Sequence, residues 1–213
     1  MDAFLTQWLL LVAVCAMATI SPGPDLIMAI KNSLAFGRRA GIMTALGFGA
    51  GAMVHVTYTL AGLAAIIASS VMLFTILKIV GAAYLFYVGI QALRSRGWHV
   101  PDHLDQVTKA VKSDRSALID GFWTNVLNPK ATLFFLAVFT QILTPSMSLG
   151  QQAILGLTSV VIIIGWFTMV AVFMTTPSVR TIFARLSQTI DRLCGVLFIA
   201  LGIKLLLTKL QTP

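Results

Sequence analysis

The stretch TISPGPDLIM, residues 19–28, sets two prolines, a glycine and an aspartate inside a run that is otherwise almost wholly apolar. Proline removes a backbone donor and breaks a helix interior. A carboxylate at the centre of hydrocarbon costs roughly 2.5–3.5 kcal/mol on insertion scales. Whether the stretch lies in lipid is decided by composition. The chain has 213 residues, of which 58% are hydrophobic and 10% charged; an ordinary soluble domain carries about 25% charged residues. None of its seven acids is a glutamate. Such a chain cannot clothe a globule in polar surface, so it reads as an all-α integral membrane protein. The net charge of +8 does not point to nucleic acid, because the basic residues sit between apolar blocks, where a cytoplasmic membrane face takes them. Cys15 and Cys194 lie inside apolar runs with no CxxC spacing and read as small packing residues. No Lys or Arg precedes the first apolar run, so that run reads as a retained segment rather than a secretory signal.

A helix needs about 20 mostly apolar residues to span a bilayer, and six blocks qualify. The first covers 4–20 and continues past the proline cluster to 36; the others cover 40–68, 71–93, 117–143, 151–175 and 190–207. Helices are expected because lipid offers no partner for an open backbone. The cations are distributed unevenly. Lys31, Arg38 and Arg39 lie between blocks one and two, Arg94, Arg96, Lys109, Lys112 and Arg115 between three and four, and Arg180, Arg185 and Arg192 around the last connection. The other two connections have none. By the positive-inside rule the odd-numbered connections are cytoplasmic and both termini periplasmic, with 94–116 a cytoplasmic loop. Lys204 and Lys209 near the C-terminus weigh slightly against this.

Two features recur along the chain. KIVGAAYLFYVGI in block three resembles RLCGVLFIALGI in block six, each with a cation three residues before a glycine and a closing Gly-Ile. Blocks one and four are each interrupted by a polar residue and a proline, Ser21-Pro22 and Asn128-Pro129. Three helices plus three implies two halves of opposite orientation, 1–93 and 117–213, within one transporter domain. That is the inverted-repeat plan of many secondary transporters.

A broken membrane helix exposes carbonyls before the break and amides after it. Around a watery cavity these become ligands. A half-helix N-terminus suits a carboxylate, and the freed carbonyls suit an ammonium. A zwitterion such as an amino acid matches both. Asp25 and Lys130 follow the two breaks with opposite sign; they are expected either to pair across the halves or to meet the two ends of a zwitterion. Asp25 could instead cap the half-helix that begins there. The run from Phe4 to Pro22 amounts to about 27 Å of helix, which places the first break toward the cytoplasmic side, where a gate or re-entrant segment is an alternative to a central site.

The elements SPGPD (21–25), AFGRRAG (35–41), GAAYLFYVGIQALR (81–94) and GFWTNVLNPKATLFF (121–135) resemble the LysE/RhtB family of bacterial amino-acid exporters over nearly the whole chain. The resemblance implies a small inner-membrane secondary transporter that exports amino acids or close derivatives. The RhtB branch, of threonine and homoserine type, is the nearest fit, and the resemblance further implies proton coupling and a homodimer. Ser21, Pro22, Gly23, Pro24 and Asp25 match its first element, and Asn125, Asn128, Pro129 and Lys130 its second.

GFGAG, 47–51, is a small-residue face suited to close helix packing, which would also let block two approach the interrupted backbone. His55 is the one histidine inside a membrane block; it reads either as a proton shuttle or as a group hydrogen-bonded to a neighbouring helix. His99, Asp102, His103 and Asp105 in the polar loop read as a solvated surface. The chain has no GxSxG, no HExxH and no glutamate, so it is not expected to be an enzyme, and no cofactor or metal site is implied. A metal-ion exporter would want Cys, His or several carboxylates along its path, and the chain offers few. A passive solute channel remains the alternative, because coupling leaves little trace in sequence.

Overall fold

The computed structural model describes residues 3–97, 111–144 and 146–207. His99, Asp102, His103 and Asp105 lie outside them. The described residues form eight helices: α1 (Ala3–Ile20), α2 (Pro24–Phe36), α3 (Arg38–Ser69), α4 (Val71–Leu93), α5 (Asp114–Val126), α6 (Pro129–Ile142), α7 (Leu149–Phe173) and α8 (Pro177–Leu207). No strand is present among the described residues.

Local chemistry accounts for most of the helix ends. Ser70, Ser113 and Ser148 cap α4, α5 and α7, each hydroxyl accepting a backbone N–H from the first turn. Ser148 and Gln151 form a reciprocal capping box. Pro24 and Pro129 each stand at the first position of a helix, where the missing N–H costs nothing. Gly37 ends α2 at φ 90°, a backbone region open to glycine, and the chain turns at once into α3.

Both expected interruptions are present. Block one divides into α1 and α2, bent by 58° at the SPGP loop. Block four divides into α5 and α6 at Asn128-Pro129. The last helix starts earlier than its apolar block, at Pro177 instead of residue 190. Its first half carries Arg180, Arg185, Asp191 and Arg192, which dilute the hydropathy without breaking the helix. Among the described residues three helices are long and apolar enough to cross a membrane, over Arg38–Gly62, Thr75–Leu93 and Leu149–Phe173, and the bent α1–α2 pair passes the same test as either a broken span or a re-entrant loop. Helices α5 and α6 fall short singly because the proline cuts them to 13 and 14 residues.

The most extensive helix contacts are α3 on α5, α4 on α8 and α3 on α7, with α2 also touching α5 and α1 packing on α7. Glycines set two of the closest crossings. A Cβ on Gly47 or Gly121 would strike the backbone of the opposite helix, at Leu118 and Thr44 respectively, so α3 and α5 run with their main chains in contact. Gly89 and Gly195 do the same for α4 and α8, each lying against the other's carbonyl. The GFGAG face therefore packs closely against the interrupted block, and the two similar glycine-bearing stretches lie against each other. Thr44 also accepts a 2.9 Å bond from Asn32 Nδ2. At the arginine-rich end Arg39 pairs with Asp114 at 2.6 Å, and Lys112 pairs with Asp120.

Candidate functional site

The site forms where the two breaks meet. Helix α2 begins at an extended Gly23 with no side-chain cap. Asp25 lies in its first turn but does not cap it. Its carboxylate turns across to the second half, where Asn125 Nδ2 donates to Oδ2 at 2.8 Å and Asn128 Nδ2 donates to Oδ1 at 3.1 Å. The capping role considered for Asp25 is therefore not the one it has. Asn128 serves two purposes: its Oδ1 caps α6 by accepting the backbone N–H of Lys130 at 2.9 Å, while its amide holds Asp25.

Lys130 does the converse for the first break. Its ammonium donates to the carbonyls of Ser21 at 2.9 Å and Pro22 at 3.3 Å, and its aliphatic stem lies 3.5 Å from where a Cβ on Gly23 would stand. A long side chain of the second half thus closes the carbonyls freed by the first. Asp25 and Lys130 form no ion pair with each other; each is bonded to neutral groups of the opposite half. Pro24 and Pro129 fix the two helix starts and make no polar contact of their own. Pro22 contributes its carbonyl.

His55, on α3, is buried and engaged at both ring nitrogens. Nδ1 meets the Tyr58 hydroxyl at 2.7 Å, and Nε2 meets the Asn125 carbonyl at 2.9 Å. The ring stacks on Phe135 at 5.6 Å between centroids. It holds the last turn of α5, and so the residue that binds Asp25, from behind. Of the two roles weighed for His55, the hydrogen bond to a neighbouring helix is the one the geometry displays. Gly51 allows this approach, since a Cβ there would fall 2.9 Å from the Asn125 side chain. The Oδ1 of Asn125 is buried without a hydrogen-bond partner, an acceptor that a donor in the adjoining cavity would satisfy.

That cavity is small, about 50 Å³, with Asp25, Asn125, Asn128 and Lys130 on one wall and Phe134, Phe135 and Phe167 on another. It has room for one or two waters and is too small for an amino acid. Phe167 is held edge-on by Phe48, centroids 4.7 Å apart. Sequence reasoning singled out all four polar residues but missed Tyr84, whose hydroxyl donates to the Lys130 carbonyl at 3.1 Å, and Tyr58. Both lie in apolar helices, where a tyrosine is more simply read as an anchor.

A family model described as LysE type translocator matches residues 16–209. The chain belongs to the LysE family. Among its LysE-family relatives, the threonine efflux protein of Escherichia coli K12 is 34% identical over 197 residues, covering 91% of this chain and 94% of that protein. An uncharacterized membrane protein of Bacillus subtilis, YrhP, is 27% identical over 200 residues, covering 91% and 95%. The homoserine/homoserine lactone efflux protein of Salmonella typhimurium is 31% identical over 157 residues, covering 73% and 74%. No solved structure matches the chain. The region matched by the family model contains both breaks, so the bonding around Asp25 and Lys130 lies within it.

Proposed function

We propose that this LysE-family protein exports neutral amino acids or close derivatives, of threonine or homoserine type, across the bacterial inner membrane. Transport runs in exchange for protons, by six crossings in two inverted halves, with both termini periplasmic and the protein a homodimer. The observation that carries the reading is the reciprocal bonding of the breaks: carbonyls of the first half hold an ammonium of the second, and amides of the second hold a carboxylate of the first. A zwitterion can substitute for both interactions. Its ammonium takes the Ser21 and Pro22 carbonyls and Asp25, and its carboxylate meets the Lys130 ammonium so released. Binding and gating are then one exchange of partners. Asp25 is the proton carrier in this scheme, because it is the carboxylate that lines the inner cavity where the partners are exchanged. A cavity of this size corresponds to an unloaded state in this scheme.

The test uses vesicles containing the purified protein and loaded with labelled L-threonine. Release should accelerate when a pH gradient is imposed across the membrane. Asp25→Asn and Lys130→Ala should each lower gradient-driven release while inserting normally. Release insensitive to the gradient would favour the passive channel, and wild-type rates in both variants would remove the charged site.

A further inference from the structure

A second and much larger space lies on the other side of the first break. It is an open cleft of about 820 Å³ bordered by α4, α6 and α8, with Ser21 and Pro22 at one end. Small-molecule sites run from about 300 to 1,000 Å³, so this cleft can house an amino acid where the inner cavity cannot. Its wall on α4 carries Tyr84, Tyr87 and Gln91, spaced three or four residues apart and therefore on one face, and Ser95 follows just past the helix end. Polar side chains are costly against lipid and line pathways where they persist in membrane helices. Within the stripe Gln91 Nε2 donates to the Tyr87 hydroxyl at 2.6 Å.

Asp191 faces this stripe from α8. It is only 3% exposed, receives one hydrogen bond, from Ser95 Oγ at 2.5 Å, and forms no ion pair among the described residues. A carboxylate has about four acceptor positions, and a buried one without a cation is costly. Lys130 borders the same cleft but is committed to the Ser21 and Pro22 carbonyls. Arg94 borders it at the end of α4 and is exposed.

We propose that this cleft is a second binding site, ahead of the breaks, for a zwitterionic amino acid. Asp191 receives the ammonium group, Arg94 the carboxylate, and Lys130 is the partition between the cleft and the inner cavity, which it also lines. The inference rests on the export reading and adds a staging site to it. Because Arg94 and Ser95 belong to the connection assigned to the cytoplasm, this is the chamber a solute meets first on its way out.

The test is protection of a cysteine in the cleft. Val88→Cys is introduced with Cys15→Ala and Cys194→Ala in the full chain, and its rate of reaction with a maleimide is followed in detergent. L-Threonine and its decarboxylated amine should slow the reaction, the deaminated hydroxy acid should not, and Asp191→Asn should abolish the protection. Transport provides a second reading without the engineered cysteine. Asp191→Asn should raise the internal threonine needed for half-maximal efflux about tenfold or more, the loss of one charged partner, with Asp191→Glu partly restoring it. Equal protection by the deaminated acid, no protection by threonine, or an unchanged threonine requirement in Asp191→Asn, each with wild-type efflux running, overturns the staging site and leaves export standing. Failure of the wild type to bind or move any amino acid overturns export and the staging site together.

Discussion

Asn128 offers the sharpest perturbation, because its two side-chain atoms do separable work. Oδ1 caps α6 and Nδ2 holds Asp25. Loss of a helix cap costs about 1 kcal/mol, and loss of a hydrogen bond to a carboxylate costs about 2 kcal/mol. Asn128→Ala removes both, for about 3 kcal/mol if the two are additive. Serine keeps an oxygen able to cap but has no reach to Asp25, so Asn128→Ser loses about 2 kcal/mol. At about 2–4 °C per kcal/mol for a chain of this length, the unfolding temperature in detergent should fall by about 6–12 °C for alanine, and serine should recover about 2–4 °C of that. Efflux should be impaired in both, because both leave the Asp25 carboxylate held by Asn125 alone. If serine unfolds at the alanine temperature, the cap contributes nothing. If serine transports at the wild-type rate, the bond to Asp25 is not part of the machinery.

Two further predictions concern packing around the site. Gly121→Ala drives a methyl into the Thr44 backbone and should destabilise by about 1–3 kcal/mol through overpacking, whereas Gly165→Ala, with nothing within 4 Å, should be neutral or stabilise by up to about 1 kcal/mol through helix propensity; thermal unfolding of the two variants compares them. His55→Leu removes one bond to the Asn125 carbonyl, which keeps the Asn128 backbone N–H, and one to the exposed Tyr58 hydroxyl, and should cost about 1 kcal/mol, with efflux falling because α5 loses its support; unchanged stability and transport would show that His55 positions nothing.

The breaks were legible because proline and glycine act locally: Pro22, Pro24 and Pro129 end or start helices whatever surrounds them. The small-residue face at 47–51 was legible for the same reason, since bare backbone has few uses in a membrane other than close approach. The partners were not legible. Opposite charges on Asp25 and Lys130 suggested either a mutual pair or a site for the two ends of a zwitterion, and the 58° bend and the α2–α5 contact set each beside neutral groups of the other half. The start of α8 was also missed, because a hydropathy window sees the charges at Arg180 and Arg185 and not the unbroken helix beneath them. Asp191 carried no motif. Its significance comes from a cleft assembled from α4, α6 and α8, helices far apart in the chain.

The reciprocal bonding has a consequence for how the protein is made. Ser21, Pro22 and Asp25 leave the ribosome about a hundred residues before Asn125, Asn128 and Lys130 exist. Until those arrive, the newborn first half sits in the bilayer with bare peptide groups and a carboxylate that nothing of its own can satisfy. A truncated product ending after α4 lacks the side chains that bond these groups, and it should be degraded faster in cells than the full chain.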